Sequence, residues 1–215
     1  MSKKIKLDIV SDVVCPWCIV GYKALEQAIA ELGIEDKIEL EWQPFELNPD
    51  MPAEGEELRA HVARKYGSSR EDSDRARANI TARGAELDFE FNFGEQMHIV
   101  NTFDAHILLD YAKQFHQQAE LKLRLFSAYF TEYKDISDRA VLANELTSIG
   151  LNADEAMKLL DNTEVKSRIN MEKSQWTSAG ISSVPTVVFN RTSALNGAHP
   201  VASYKQVLTE LVAEL

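Results

Sequence analysis

Two cysteines separated by two residues, in Cys15-Pro16-Trp17-Cys18, are the side chains of this chain best suited to chemistry. A strand-like segment precedes them and a helical pattern follows, so Cys15 falls at the predicted start of a helix. Unpaired N–H groups and the positive end of the helix dipole favour a thiolate there, and can lower a thiol pKa from about 8.5 to roughly 3.5–7.5. Cys18, one turn further on, would attack a mixed disulfide formed on Cys15. The spacing therefore predicts a redox-active dithiol.

Two other interpretations of the cysteine pair stay open from the residues alone. A closed zinc site needs two further ligands, and the five histidines show no HxxxH or similar pairing. Buried cysteines without chemistry are common singly, but a strand–CxxC–helix arrangement seldom arises without a redox role. We therefore expect no metal site and favour redox chemistry.

A proline that opens a strand is the second candidate feature. Pro185 follows Val184 and precedes the β-branched run 186–189. Taken alone it would be an ordinary trans proline at a strand's first residue, because only about 5–6% of X–Pro bonds in folded proteins are cis. Its pairing with a CxxC motif near the other end of the chain makes it a candidate site residue.

The elements that would position these residues come from both ends of the chain. Strand patterns occur in four segments: 4–12, 37–42, 186–189 and 194–196. Helical spacing predicts helices over 16–32 and 201–215. Further helical patterns occur near 56–66, 70–86, 103–117, 119–133, 138–149, 153–161 and 164–179. Two of these begin with a pattern that resembles a capping box, at Ser69-Arg70-Glu71-Asp72 and Asn152-Ala153-Asp154-Glu155. The first strand, helix and strand form a βαβ unit with parallel strands. We expect an α/β fold of the order βαβ…ββα with a large all-helical insertion.

This order of elements predicts a discontinuous domain. Residues 1–52 and 181–215 would form one α/β domain, and 53–180 a helical insertion domain whose last helix leads back into it. Three of the six prolines fall between positions 44 and 52, which marks the first boundary.

The charge and the N-terminus limit the partners and the compartment. Lys and Arg number 23 against 34 Asp and Glu, a net charge of −11, which argues against nucleic acid because phosphate binding needs clustered cations. Asp8 and Asp12 interrupt what would have to be the apolar part of a signal peptide, and 18 apolar residues nowhere run together. We expect a cytoplasmic protein that binds neither nucleic acid nor membrane; the oligomeric state stays open.

Five sequence blocks carry a family resemblance that covers essentially the whole chain. They are the CxxC motif and residues 42–49, 101–106, 180–185 and 197–200. In this order they resemble the thioredoxin-like fold of the DsbA family, and most closely its cytoplasmic, FrnE-like branch. The resemblance implies that the discontinuous domain is thioredoxin-like and that the protein is a disulfide oxidoreductase or isomerase.

The resemblance also implies roles for individual residues. Cys15 would be the attacking sulfur and Cys18 the resolving one. Pro185 would be cis, and Val184 would offer its backbone to an extended substrate, much as a strand edge does. Pro16 and Trp17 would tune the site. The Trp17 ring would hold apolar substrate, or else pack against the insertion.

Three further residues have two interpretations each. Asp12 would tune the thiolate or shuttle the Cys18 proton, or else cap the helix. Asn101 and His106 would bind substrate in a cleft facing Cys15. Alternatively, Asn101 is a helix cap and His106 lies on a solvated face.

The same fold resembles kappa-class glutathione transferases and 2-hydroxychromene-2-carboxylate isomerases. Those families have Ser where this chain has Cys15, and they lack a cysteine at the place of Cys18. Their Ser-Asp pair, which receives glutathione, falls about where Ala198-His199 stands here. These departures weaken the prediction of a glutathione-dependent transferase or isomerase, which we keep as an alternative.

The sequence thus predicts dithiol–disulfide exchange through a mixed disulfide on Cys15. No bound cofactor is expected, and the partners would be protein or small-molecule thiols and disulfides. Glutathione is expected as a redox partner or co-substrate, or a thioredoxin system as the source of electrons. A second alternative is a non-catalytic peptide-binding or chaperone module that uses the surface between Trp17 and Pro185.

Overall fold

A four-stranded sheet forms the centre of the protein in a computed structural model, which describes residues 4–215. The strands in chain order are β1 (Ile5–Ser11), β2 (Ile38–Pro44), β3 (Glu56–Glu57), β4 (His98–Ile99), β5 (Thr186–Phe189) and β6 (Ser193–Asn196). The helices are α1 (Pro16–Leu32), α2 (Leu58–Tyr66), α3 (Arg70–Glu86), α4 (Phe103–Lys113), α5 (Gln118–Phe130), α6 (Arg139–Ser148), α7 (Ala153–Leu159), α8 (Thr163–Ser178) and α9 (Val201–Ala213). Within the described part of the chain, no helix is both long and apolar enough to cross a membrane.

The central sheet has the strand order β2-β1-β5-β6. Strand β1 runs parallel to β2 and antiparallel to β5, so Ile9 lies opposite both Trp42 and Val187. Strand β6 closes the sheet as the antiparallel hairpin partner of β5. Because β1 has neighbours on both sides and is buried along nearly its whole length, its C-terminal end is a fixed point from which residues 12–15 lead into α1. The predicted thioredoxin-like βαβ…ββα order is confirmed.

Helix α1 is amphipathic and packs with α9 beside the sheet. It begins at Pro16, which has no N–H, at a position where an N–H would have no partner within the helix. It ends at Gly33, whose φ of 61° lies in the left-handed region. Ile19 and Leu25 on α1 and Leu208 on α9 are fully buried between these elements. The helix predicted over 16–32 is confirmed at both ends.

Helices dominate the chain between β2 and β5, and side-chain caps start several of them. The Ser69 hydroxyl accepts a hydrogen bond from the Asp72 N–H at 3.1 Å. The Asp72 carboxylate accepts one from the Ser69 N–H, which completes a capping box. The Asn152 side chain caps α7 through the Glu155 N–H. Both caps agree with the sequence prediction.

The expectation of an all-helical insertion needs one correction. Strands β3 and β4 form a two-stranded antiparallel sheet in which Glu56 pairs with Ile99. Each strand has two residues, which is too short for an alternating pattern to show in sequence. Gly55, at φ 70°, makes the close approach possible, because a Cβ there would lie 2.7 Å from the Ile99 carbonyl oxygen.

Two helices end earlier than the sequence predicts. We expected helices over 103–117 and 119–133, whereas α4 ends at Lys113 and α5 at Phe130. His116 and Tyr133 follow these ends with φ of 59° and 56°. A left-handed residue stops a helix, and without a glycine at either position the sequence gives no sign of it.

Candidate active site

The two cysteines lie at the junction between β1 and α1. Cys15 is the N-cap of α1 with extended backbone angles, and the Cys18 N–H donates to the Cys15 carbonyl at 3.1 Å. Both thiols are free. Cys15 is 4% exposed and borders a cavity, whereas Cys18 is fully buried beneath it. A substrate can therefore reach Cys15 and cannot reach Cys18.

Cys15 and Cys18 lie close enough together that the two thiols share protons as one acid. The interaction with Cys18, together with burial, raises the pKa of Cys15 well above its ordinary value. Burial alone would raise the pKa of Cys18 too, but interactions with Cys15 and Ser11 and the charge of Lys122 lower it. Attack on a substrate requires the charge of the pair on Cys15, because this is the sulfur that borders the cavity.

A buried carboxylate and a buried imidazole lie close to the dithiol. Asp12 Oδ1 is 3.4 Å from His106 Nε2, and neither atom has a hydrogen-bond partner among the described residues. Asp12 Oδ2 accepts the Leu47 N–H at 2.7 Å. Burial would raise the pKa of Asp12, but the His106 imidazole, the Leu47 N–H and the Lys122 charge outweigh it and lower the pKa. Asp12 is therefore held as an anion next to the cysteine pair.

A buried lysine on α5 completes this charged group. Lys122 is 1% exposed, and its ammonium lies 5.1 Å from the ring centroids of both Trp42 and Phe126. Burial lowers the pKa of Lys122 to about 8, while the charges of Cys18 and Asp12 act in the opposite direction. The lysine is thus a cation buried near two acidic groups, which it helps to keep ionised.

Val184 and Pro185 face Cys15 from the loop before β5. The Val184–Pro185 peptide bond is cis, as the family resemblance leads us to expect. The Cys15 thiol lies 3.7 Å from the Val184 carbonyl oxygen, to which it donates. Gly21 allows this loop to approach α1, because a Cβ there would lie 3.2 Å from the Pro185 ring. The structure therefore brings the CxxC motif and the proline together.

The cavity beside Cys15 has a volume of about 400 Å³ and mostly apolar walls. Trp17, which is 39% exposed, lies on its wall next to Cys15. The opposite walls come from α2, α3 and α5, which contribute residues such as Val62, Ile80 and Phe130. This volume is in the range of cavities that hold small organic ligands.

Not every residue predicted for the site reaches this cavity. Asn101 lines a separate depression. It precedes Thr102, the N-cap of α4, and its side chain accepts the Phe103 N–H at 2.9 Å, so it pairs a first-turn N–H as the capping interpretation expects. His106 is neither on a solvated face nor in contact with the cavity, because it is buried against Asp12. Asp12 does not cap α1, whose N-cap is Cys15. Direct substrate contact from Asn101 or His106 is therefore not supported.

Lys122 and the cavity-lining residues of α2 and α3 were missed by sequence reasoning. One signal pointed to Lys122, since it lies among Leu121, Leu125 and Phe126 on the apolar side of a predicted helix. No comparable signal exists for the cavity walls. They meet Cys15 only because the insertion folds back over the start of α1.

Comparison with known proteins agrees with this architecture. Residues 6–209 match the model of the DSBA-like thioredoxin domain family. The uncharacterized protein YwbO of Bacillus subtilis (strain 168) is 26% identical over 212 residues, 98% of this chain and 96% of YwbO. The crystal structure of a probable DsbA oxidoreductase from Streptomyces coelicolor has a TM-score of 0.92 at 26% identity, covering 98% of this chain and 91% of that one.

A more distant structure shares the fold. The cytosolic disulfide reductase DsbM from Pseudomonas aeruginosa, solved with GSH, has a TM-score of 0.65 at 15% identity and covers 97% of this chain and 99% of its own. The family model, by contrast, spans nearly all of this sequence, including both cysteines and the cis proline. The chain belongs to the DSBA-like thioredoxin domain family, a family of thioredoxin-fold oxidoreductases.

Proposed function

We propose that this protein is a thiol–disulfide oxidoreductase that works through a mixed disulfide on Cys15, which Cys18 resolves. The observation that carries the proposal is the stacked pair of free thiols at the start of α1, of which only Cys15 borders the cavity. Exchange requires this arrangement, because one sulfur must form the mixed disulfide with the substrate and a second sulfur close to it must then attack that disulfide.

In the reductive direction the reaction has two displacements. The Cys15 thiolate attacks one sulfur of a substrate disulfide, forms a mixed disulfide and releases the other sulfur as a thiolate, which takes up a proton. The Cys18 thiolate then attacks the Cys15 sulfur and releases the second substrate thiol. Two electrons pass from the dithiol to the substrate, and the Cys15–Cys18 disulfide remains. The oxidative direction is the reverse.

The buried charges act on the second displacement. Cys18 carries a proton once Cys15 has reacted as the thiolate, and it must lose that proton before it can attack. The Asp12 carboxylate is ionised near the pair, which supports Asp12 as the acceptor of this proton, and His106 faces the carboxylate at 3.4 Å. Lys122 stabilises the Cys18 thiolate that results.

We propose that electrons come from a small cytoplasmic thiol such as glutathione, or from a thioredoxin system, with no bound cofactor. A related fold is described as a cytosolic disulfide reductase and was solved with GSH, which supports a partner of this chemical class. The description of that relative as cytosolic also supports a cytoplasmic location for this protein.

A second candidate function is a glutathione-dependent isomerase or transferase for small molecules. The observation that favours it is the mostly apolar cavity beside Cys15. Cys15 is only 4% exposed, which suits a small substrate better than a folded protein. In this function Cys15 would act without Cys18.

Replacement of Cys18 separates the two functions. In the Cys18→Ser variant, exchange is expected to stop at the mixed disulfide, so incubation with oxidised glutathione should add one glutathionyl group to Cys15. Intact-protein mass spectrometry measures that adduct, and Cys15→Ser is the control that cannot form it. Full turnover of a disulfide substrate by Cys18→Ser would contradict the proposed role of Cys18 and favour the second candidate.

A further inference from the structure

The cavity beside Cys15 contains one charged side chain with a buried atom that lacks a partner. Arg77, on α3, lines the cavity, and its Nη2 atom is inaccessible to solvent and has no hydrogen-bond partner among the described residues. The guanidinium lies 5.9 Å from the centroid of the Phe93 ring, which is also on the cavity wall.

The carboxylates around Arg77 are already engaged elsewhere. Asp74 and Glu95 both bind Arg59, at 2.6 and 3.0 Å. Glu57 accepts two backbone N–H groups at the start of α2. These side chains contribute charge near the guanidinium without supplying a direct partner, and burial together with the charge of Arg59 lowers the pKa of Arg77.

Asp72 and His61, which also line the cavity, are paired as well. Asp72 belongs to the capping box with Ser69 and also binds Arg75. His61 lies 2.6 Å from Glu56 through Nδ1. These groups thus have their own partners, and none of them forms an ion pair with Arg77.

We infer that Arg77 binds the carboxylate of a small disulfide or thiol whose apolar body fills the cavity beside Cys15. Three observations agree on this ligand. The walls are mostly apolar, and the volume of about 400 Å³ suits a small organic molecule. Arg77 is a cation that lines the cavity and has no direct carboxylate partner among the described residues, so it is complementary to an anion. The inference rests on the proposed function, because it names the class of substrate that Cys15 attacks.

The reaction with such a ligand is balanced by the protein's own thiols. Cys15 displaces one carboxylated thiol from the disulfide and keeps the other as a mixed disulfide. Cys18 then releases that second thiol. The two protons of the dithiol end on the two product thiols, and the substrate gains the two electrons that the protein loses.

The test uses a probe that cannot undergo exchange, so that binding is measured apart from redox chemistry. The acid is 4-(phenylthio)benzoic acid, and its methyl ester has nearly the same shape without the charge. Isothermal titration calorimetry compares both probes on the wild type and on Arg77→Gln. Arg83→Gln is the matched control, since Arg83 is an exposed residue of the same helix that pairs with Glu86.

The wild type is expected to bind the acid about tenfold more tightly than the ester, a factor that one charge-assisted hydrogen bond supplies. Arg77→Gln should remove this preference and Arg83→Gln should keep it. Ala76→Trp, which fills the cavity from α3, should weaken binding of both probes. Circular dichroism confirms that each variant is folded.

Equal binding of acid and ester by the wild type would overturn the inference, as would binding of neither, or the same loss in both arginine variants. None of these outcomes affects the redox couple of Cys15 and Cys18, which is measured without the probe. Conversely, the wild type could prefer the acid and yet show no Cys15–Cys18 redox couple. That result would overturn the proposed function, whereas the inferred carboxylate site at Arg77 would stand.

Discussion

At the scale of residues, the Asp12 carboxylate and the Lys122 ammonium are buried charges that act on the dithiol. Asp12 is recognisable in the sequence because it lies three positions before Cys15, and His106 because it closes one of the family-like blocks. Their contact with each other was not predictable, since it joins the end of β1 to α4. Lys122 was missed because a lysine is normally placed on the exposed face of a helix.

Lys122 gives stability a pH dependence of known sign. Its pKa is about 8 in the folded state and 10.5 ordinarily, so between these values the unfolded chain binds more protons. The contribution of Lys122 to the free energy of unfolding therefore rises with pH across that window, by on the order of 3 kcal/mol. Lys122→Met should lack the rise when the free energy of unfolding is measured in urea at pH 7.5 and pH 10. Lys158→Met, at an exposed position, is the control, and parallel pH profiles for wild type and Lys122→Met would refute the assignment.

Asp12→Asn should separate the two displacements of exchange. The negative charge of Asp12 raises the pKa of Cys15, so its removal should not slow the first attack. The second step loses its proton acceptor and should slow by about 100-fold, the usual scale of general base catalysis. Stopped-flow measurement of the two thiols released from an aryl disulfide resolves both phases. Exposed Asp36→Asn is the control, and an unchanged second phase would argue against a role for Asp12.

At the scale of elements, long periodic segments were predictable and short or context-dependent ones were not. Helix α1 agrees with the sequence prediction at both ends because proline and glycine mark them. Strands β3 and β4 escaped prediction, since two-residue strands exist only through their pairing. Helix α3 was predicted over 70–86, but its contact with the segment after it was not.

Gly84 allows α3 to pack closely against Phe89 and Phe91 in the segment that follows it. A Cβ at this position would lie 2.6 Å from the Phe89 carbonyl oxygen and would overlap the Phe91 ring. Gly84→Ala should therefore destabilise the protein by about 2 kcal/mol, because overpacking outweighs the gain in helix propensity. Urea denaturation measures the change, with exposed Ala82→Gly as a control that reports propensity alone. Stability equal to or above wild type in Gly84→Ala would show that α3 moves freely against its neighbour.

At the scale of the whole molecule, the site is formed by residues that are far apart in the sequence. The sequence shows the CxxC motif, the cis-proline candidate and the fold that joins them, since each depends on local pattern or family resemblance. It does not show that α2 and α3 cover Cys15, or that Arg77 borders the same cavity. Those relations depend on how the insertion packs on the thioredoxin-like core, which no local pattern encodes.

The central claim is that Cys15 and Cys18 form a reversible redox couple. Equilibration of the protein in glutathione buffers of graded ratio, followed by acid quenching and alkylation of free thiols, measures that couple directly. We expect one transition in which both thiols disappear together and return on reduction, with no such transition in Cys15→Ser. A protein whose two thiols remain alkylatable at every ratio, or whose oxidation cannot be reversed, would contradict this account.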